Sequence, residues 1–124
     1  MQKILITVLI AFSVIPVISY AKEDALKKGE AIYSKHCAMC HLPELAGAPK
    51  VHDQTAWKTR FEQAQTTAKQ EDPTLTGETL GKKAMEALID TVKKGKNAMP
   101  PGGMCDKCTD ADYESAIRFM MSKG

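Results

Sequence analysis

The sequence has few aromatic residues: one tryptophan, three tyrosines and three phenylalanines in 124 residues. Five of them follow residue 21, where we expect the mature chain to begin: Tyr33, Trp57, Phe61, Tyr113 and Phe119. A domain of this size buries only a modest fraction of its surface. We therefore expect a group other than side chains to fill part of the core.

Neither sign of charge is in large excess. The chain has 17 basic and 15 acidic residues, a net charge of +2. Removal of Lys3 with the predicted leader leaves 16 basic residues against 15 acidic ones, a net charge of +1. Nucleic-acid-binding domains usually carry a strongly basic face. The composition therefore argues against nucleic acid as a partner.

No long apolar span follows the N-terminal leader. Lys3 precedes an apolar run over residues 4–18, and Ala21 stands at the position of a signal-peptidase cleavage site. The run is shorter than the roughly 20 residues that span a bilayer. We predict a signal peptide at residues 1–21 and one exported domain at residues 22–124 without a transmembrane segment. An uncleaved membrane tether is the alternative.

No segment alternates apolar and polar residues for long, so the sequence predicts an all-α domain. One helix is expected over residues 22–36, a short one around Trp57 with Thr55 as a possible cap, one over residues 80–94, and one that begins after Thr109. Residues 66–79 are polar and read as a surface loop. Residues 95–108, "GKNAMPPGGMCDKC", form an irregular segment that we call the strap.

The stretch "CAMCH", residues 37–41, carries the strongest chemical signal. A C-x-x-C-H motif is typical of covalent haem attachment. In this interpretation Cys37 and Cys40 bind the haem vinyl groups through thioethers, and His41 is the proximal iron ligand. The predicted export of the chain also favours the haem interpretation, because bacterial haem attachment takes place outside the cytoplasm.

Two other interpretations use the cysteines differently. Cys37, Cys40, Cys105 and Cys108 together make a four-sulfur zinc set, but 64 residues separate the two pairs, whereas zinc pairs usually lie roughly 12–20 residues apart. A thiol-disulfide enzyme with a C-x-x-C motif requires strands that the sequence does not predict. The zinc interpretation also leaves His41 unexplained.

The residue on the other side of the iron decides whether the haem is closed or open to ligands. Met99 lies outside the predicted helices, ahead of two prolines and between glycines that stiffen the backbone and permit close approach. We expect Met99 to be the sixth ligand. Met104 is the main competitor, and His52 is a further alternative.

The motifs "CAMCH", "GAPK", "AMPPGG" and "CDKC", in this order, resemble those of class I cytochromes c, specifically the small bacterial cytochrome c-five group. The resemblance covers essentially the whole mature chain. It implies a small cytochrome c fold with helices wrapped around one covalently bound haem c, ligation by His41 and Met99, and electron transfer in the periplasm.

The resemblance also implies roles for single residues. Pro49 matches the family's proline whose carbonyl accepts a hydrogen bond from the proximal histidine. Trp57 and Arg60 match a W-x-x-R segment at the cofactor, where Arg60 pairs with a haem propionate. Cys105 and Cys108 match an additional disulfide after the strap methionine. Gly29 and Tyr33 match the helix that crosses the last helix near Phe119.

We therefore expect a periplasmic monohaem electron carrier that shuttles single electrons between respiratory redox proteins, and not an enzyme. The alternative is a haem protein with a labile or absent sixth ligand that acts in gas binding, sensing or peroxide chemistry.

Overall fold

The computed structural model describes residues 18–124, with side chains from residue 21 onward. The five α-helices of this part are α1 (Ile18–Ile32), α2 (Ala38–His41), α3 (Gln54–Glu71), α4 (Gly77–Lys94) and α5 (Asp110–Met121). A π-helical segment, Tyr33–Cys37, joins α1 to α2, and 3₁₀ turns lie at Leu45–Gly47 and Pro101–Met104. Within residues 18–124 the only β-type pairing is the bridge between Lys96 and Met99. The prediction of an all-α fold is confirmed for these residues.

Most of the predicted signal peptide, residues 1–17, lies outside the described residues, so the cleavage after Ala21 stays a prediction. Helix α1 already begins at Ile18, four residues before the expected start of the mature chain. No helix between residues 18 and 124 is both long enough and apolar enough to cross a membrane.

The pair of α1 and α5 forms the structural centre, because these two helices pack against each other most extensively. They approach closely at Gly29, where an added Cβ would lie 2.1 Å from the carbonyl oxygen of Ser115. One turn further on, the rings of Tyr33 and Phe119 lie 5.3 Å apart. The expected crossing of the first and last helices is therefore confirmed.

The start of α5 is held by a reciprocal cap. The Thr109 side chain accepts from the Asp112 N–H, and the Asp112 carboxylate accepts from the Thr109 N–H. Lys28 of α1 lies 2.6 Å from the same carboxylate. The hydrogen bond from Lys28, followed by those from Thr109, lowers the pKa of Asp112 to about 2.

The predicted surface loop at residues 66–79 is wrong over most of its length, because α3 and α4 leave only residues 72–76 between them. The Thr66 hydroxyl donates to the carbonyl of Glu62, 2.9 Å away and one turn back. In this half of α3 only Ala68 is buried. A helix segment with so little buried surface does not need apolar residues at regular helical spacing. The spacing of apolar residues therefore cannot reveal it.

The cap of α3 also differs from the prediction. The Asp53 carboxylate, and not the Thr55 hydroxyl, accepts from the N–H of Ala56 at 2.9 Å. The helix therefore begins at Gln54, ahead of Thr55.

The core is small. Its buried side chains come from the π-helical segment and from α3, α4 and α5: Tyr33, Trp57, Met85, Ile89, Tyr113, Ile117 and Met120. Among residues 21–124 no large side chain is less than 2% exposed. Protein interiors are otherwise close-packed. The expectation that a group other than side chains fills part of the core stays a prediction.

Candidate functional site

Residues 37–41, which we call the attachment motif, span the end of the π-helical segment and the whole of α2. Cys37 and Cys40 are free thiols and half-buried, and His41 is buried. After α2 the chain turns sharply, with positive φ at Glu44 and Ala46. This turn ends the helix at the residue that sequence analysis assigns as the proximal ligand.

The imidazole of His41 is oriented by a backbone carbonyl. Its Nδ1 donates to the oxygen of Pro49 at 2.7 Å, the contact expected from the resemblance. The N–H of Val51 donates to the His41 carbonyl, also at 2.7 Å, so the two segments hold each other. With its proton on Nδ1, the ring keeps the lone pair of Nε2 for a metal, which is how metal-binding histidines are usually arranged.

Trp57 supports the same histidine from α3. The indole ring stacks on the His41 imidazole, with centroids 5.9 Å apart and planes 23° from parallel. Its Nε1 donates to the carbonyl of Lys50 at 2.9 Å, directly after Pro49. Trp57 therefore holds both the ring and the segment that orients the ring. Sequence analysis assigned Trp57 to the cofactor but missed this contact, because nothing local relates residues 41 and 57.

Arg60 lies one turn beyond Trp57 and is half-buried. Its guanidinium donates to the carbonyl of Gly47 across 3.4 Å, a long hydrogen bond. This contact joins α3 to the turn after the attachment motif. The expected pairing of Arg60 with a haem propionate stays a prediction.

Met99 is presented by a closed backbone loop within the strap. The N–H of Met99 donates to the Lys96 carbonyl at 2.9 Å, and the Lys96 N–H donates to the Met99 carbonyl at 3.1 Å. At Gly95, which has φ of 76°, an added Cβ would lie 2.6 Å from the Met99 oxygen. The Cβ position of Gly103 lies 3.8 Å from the Met99 methyl carbon. Gly95 thus permits a close approach of the backbone within the strap, whereas the distance at Gly103 is that of an ordinary van der Waals contact.

Tyr113 of α5 fastens the other half of the strap. Its hydroxyl lies 3.2 Å from the carbonyl oxygen of Gly102 and 3.1 Å from that of Cys105, and it donates to this pair. Sequence analysis named Tyr113 only among the aromatic residues of the mature chain and missed this role. The helical spacing predicts which face Tyr113 occupies, but not which loop passes over it.

Met104 and His52, the alternative sixth ligands named from the sequence, have surroundings that differ from those of Met99, and the choice among the three stays a prediction. The side chain of Met104 is 65% exposed. Nδ1 of His52 donates to the carbonyl of Ser122 at 2.9 Å, and the ring lies edge-on to Phe119. His52 therefore holds the C-terminal end of α5.

The four-sulfur zinc interpretation is wrong. Cys105 and Cys108 are joined to each other in a disulfide, whereas Cys37 and Cys40 are free. Burial, and after it the charge of Cys40, raises the pKa of the Cys37 thiol to about 11. A thiol that resists ionisation is a poor metal ligand, because metals bind the thiolate.

Tyr33 indicates that the site is built for an additional group. Its hydroxyl is the one buried side-chain polar atom without a hydrogen-bond partner among residues 21–124. Burial, with Cys37 as the second cause, raises the pKa of Tyr33. Buried polar atoms are rarely left unpaired. Two free thiols, an oriented imidazole and a thioether are a donor set that fits haem c.

A family model described as cytochrome c oxidase, cbb3-type, subunit III matches residues 24–120. The chain belongs to the c-type cytochrome family. It is 33% identical over 94 residues to cytochrome c5 of Azotobacter vinelandii, a match that covers 76% of this chain and 92% of that protein. It is 32% identical over 95 residues to cytochrome c-555 of Chlorobaculum tepidum, covering 77% and 73%.

A solved structure to which this cytochrome is similar supports the same family. It is the crystal structure of an electron transfer complex of nitrite reductase with cytochrome c, matched with a TM-score of 0.55 and 32% identity over 76% of this chain and 90% of that chain. The small all-α cytochrome c fold, the covalently bound haem c and the function in electron transport are thereby confirmed. The resemblance to the cytochrome c5 group is confirmed as well.

Proposed function

We propose that this cytochrome is a periplasmic carrier with one haem, attached through Cys37 and Cys40, and with His41 and Met99 as the axial ligands. In this proposal residues 1–21 are removed on export and the chain passes electrons between redox proteins without catalysing a reaction. The observation that carries the proposal is that the imidazole of His41 is oriented by the Pro49 carbonyl, while the backbone that bears Met99 is closed by two hydrogen bonds with Lys96.

Haem c bound here would supply an iron centre that exchanges one electron at a time. The protein's contribution is rigidity: the Pro49 carbonyl and the Trp57 ring hold His41, while Gly95 and Tyr113 hold the strap. Ligands that stay in place leave little to reorganise on electron transfer. A thioether such as that of Met99 favours a higher potential than a second imidazole does.

The expected docking face is the surface around the attachment motif. It carries the large exposed apolar side chains of the described part of the chain, which we call the apolar rim: Met39, Leu42, Leu45 and Met104. His36 holds the Met104 carbonyl at 3.1 Å, which brings the strap side of the rim to the motif. A small apolar contact of this kind suits the weak, short-lived complexes of redox proteins.

The test is an absorption spectrum of the exported, purified protein, oxidised and reduced, with and without carbon monoxide. We expect a low-spin reduced spectrum that carbon monoxide does not change, because a closed iron offers no position to the gas. The intact mass should equal that of residues 22–124 plus one haem. A spectrum that shifts with the gas would replace the carrier by the alternative of an open haem.

The ligand assignment is tested by Met99→Ala against Met104→Ala. We expect Met99→Ala to change the ferric spectrum, to admit carbon monoxide and to lower the reduction potential, because it removes the thioether. Met104→Ala should retain the wild-type spectrum, since this side chain is exposed. If Met99→Ala leaves the ferric spectrum unchanged, Met99 is not the ligand and the mechanism proposed here fails.

A further inference from the structure

Three potential metal donors meet at the end of the strap, apart from the haem ligands. A ring nitrogen of His36 and the sulfurs of Cys105 and Cys108 all lie within 4.8 Å of one another. This is the one such group of three or more histidine, cysteine or acidic residues found in the described part of the chain. All three residues are half-buried, so solvent and ions reach them.

His36 is held in the manner of a metal ligand. Its Nδ1 lies 3.1 Å from the carbonyl oxygen of Met104, and since a carbonyl only accepts, this nitrogen donates. The lone pair therefore lies on Nε2, as it does in His41. Met104 directly precedes Cys105, so the hydrogen bond also keeps the imidazole beside the cysteine pair.

We propose that reduction of the Cys105–Cys108 disulfide creates a site for one thiophilic divalent cation, of which Zn²⁺ is the model. A dithiol reductant becomes a disulfide, and its two electrons and two protons go to the sulfurs of Cys105 and Cys108. Binding of the cation releases both protons and forms two metal–sulfur bonds and one metal–nitrogen bond to His36. Water completes a tetrahedral set, which imidazole and thiolates commonly build for zinc.

The cation takes the place of the disulfide as the cross-link of residues 105–108. Two thiolates neutralise its charge, so the bound site is neutral and stable while half-buried. Thiolate and imidazole donors select zinc and similar soft ions over magnesium or calcium, which prefer oxygen. The proposal concerns a second metal site and does not depend on which residues bind the haem iron.

The experiment uses the full holoprotein. It is reduced with dithiothreitol, freed of reductant by gel filtration under argon, and titrated with Zn²⁺. Native mass spectrometry and elemental analysis then give zinc per haem iron. We expect one zinc in the reduced protein and none in the disulfide form. The double variant Cys105→Ser/Cys108→Ser should bind none.

Two histidine variants test the nitrogen ligand. His36→Gln should weaken zinc binding at least about tenfold, because it removes a direct ligand. His52→Gln is the matched control, because His52 also donates to a backbone carbonyl but does not belong to the group formed with Cys105 and Cys108. The His52→Gln protein should bind zinc as the wild type does. Equal affinity of His36→Gln and wild type would overturn the assignment of His36.

X-ray absorption at the zinc edge of the wild-type protein provides a readout that needs no variant. Two sulfur neighbours and one imidazole are expected. A shell of oxygen and nitrogen alone, equal binding by the disulfide form, or no zinc in the reduced form would each overturn the proposal.

Discussion

Asp112 joins two helices through one carboxylate. It accepts from Lys28 of α1 and from the backbone and hydroxyl of Thr109 at the start of α5. These bonds lower its pKa from an ordinary 3.8 to about 2. The folded protein thus binds this proton less readily than the unfolded chain. The stabilisation is complete above the unfolded pKa and is lost as the pH falls through the folded pKa.

We therefore predict that Asp112→Asn flattens the acid side of the stability profile. Between about pH 4 and about pH 2 the wild type should lose more of its thermal stability than the variant does, because only the wild type must protonate this carboxylate. Thermal unfolding of both holoproteins in pH steps measures the difference.

Asp110→Asn is the control for Asp112→Asn, because Asp110 forms the exposed pair with Lys93 and lies outside the capping box. Each variant loses one negative charge, and neither substitution changes a proposed haem ligand. An acid profile of Asp112→Asn parallel to that of the wild type would contradict the prediction.

Two glycines in helices give opposite expectations at the scale of elements. At Gly29 in α1 an added Cβ would lie 2.1 Å from a backbone oxygen of α5, whereas at Gly81 in α4 it would meet nothing within 4 Å. We predict that Gly29→Ala destabilises the holoprotein by about 3 kcal/mol, because the helices must separate. Gly81→Ala should stabilise it by about 0.5–1 kcal/mol through helix propensity.

Unfolding of both glycine variants by guanidinium chloride measures these free energies. The Gly81→Ala protein is the matched control, since it makes the same chemical change within a helix without the contact. If Gly29→Ala and Gly81→Ala shift stability alike, the close approach of α1 and α5 is not what requires glycine at position 29.

Elements were predictable where they bury a periodic apolar face. The helix that begins after Thr109 and the helix over residues 80–94 were both expected from local pattern and occur as α5 and α4, although α4 begins earlier, at Gly77. Residues 66–71 were missed because they extend a helix that lies mostly in solvent. Many polar sequences are compatible with an exposed helix face. The composition of such a segment therefore gives no clear indication of a helix.

At the scale of the whole molecule, we expect the protein to need its cofactor for a closed core. Among the described side chains no large one is fully buried, and the Tyr33 hydroxyl is buried without a partner. We predict that Cys37→Ser/Cys40→Ser, which cannot attach haem, loses fixed tertiary packing while it keeps part of its helix. Near-ultraviolet circular dichroism and hydrogen exchange measure this loss.

The double variant Cys105→Ser/Cys108→Ser is the control for the attachment variant. It also loses two cysteines but keeps the attachment motif, so it should retain haem, near-ultraviolet signal and a cooperative transition. Cooperative unfolding and strong hydrogen-exchange protection in Cys37→Ser/Cys40→Ser would show that the side chains close the core unaided.

The chemistry of this protein was readable in short stretches of its sequence. The spacing of Cys37, Cys40 and His41 and the proline and glycine residues around Met99 are local, because covalent attachment and a stiff loop need only neighbouring residues. The tertiary structure alone decided which distant groups meet. Trp57 stacks on His41, Tyr113 holds the strap, and His36 lies beside the disulfide. These contacts depend on how the helices pack, and no local spacing encodes the path of the chain between them.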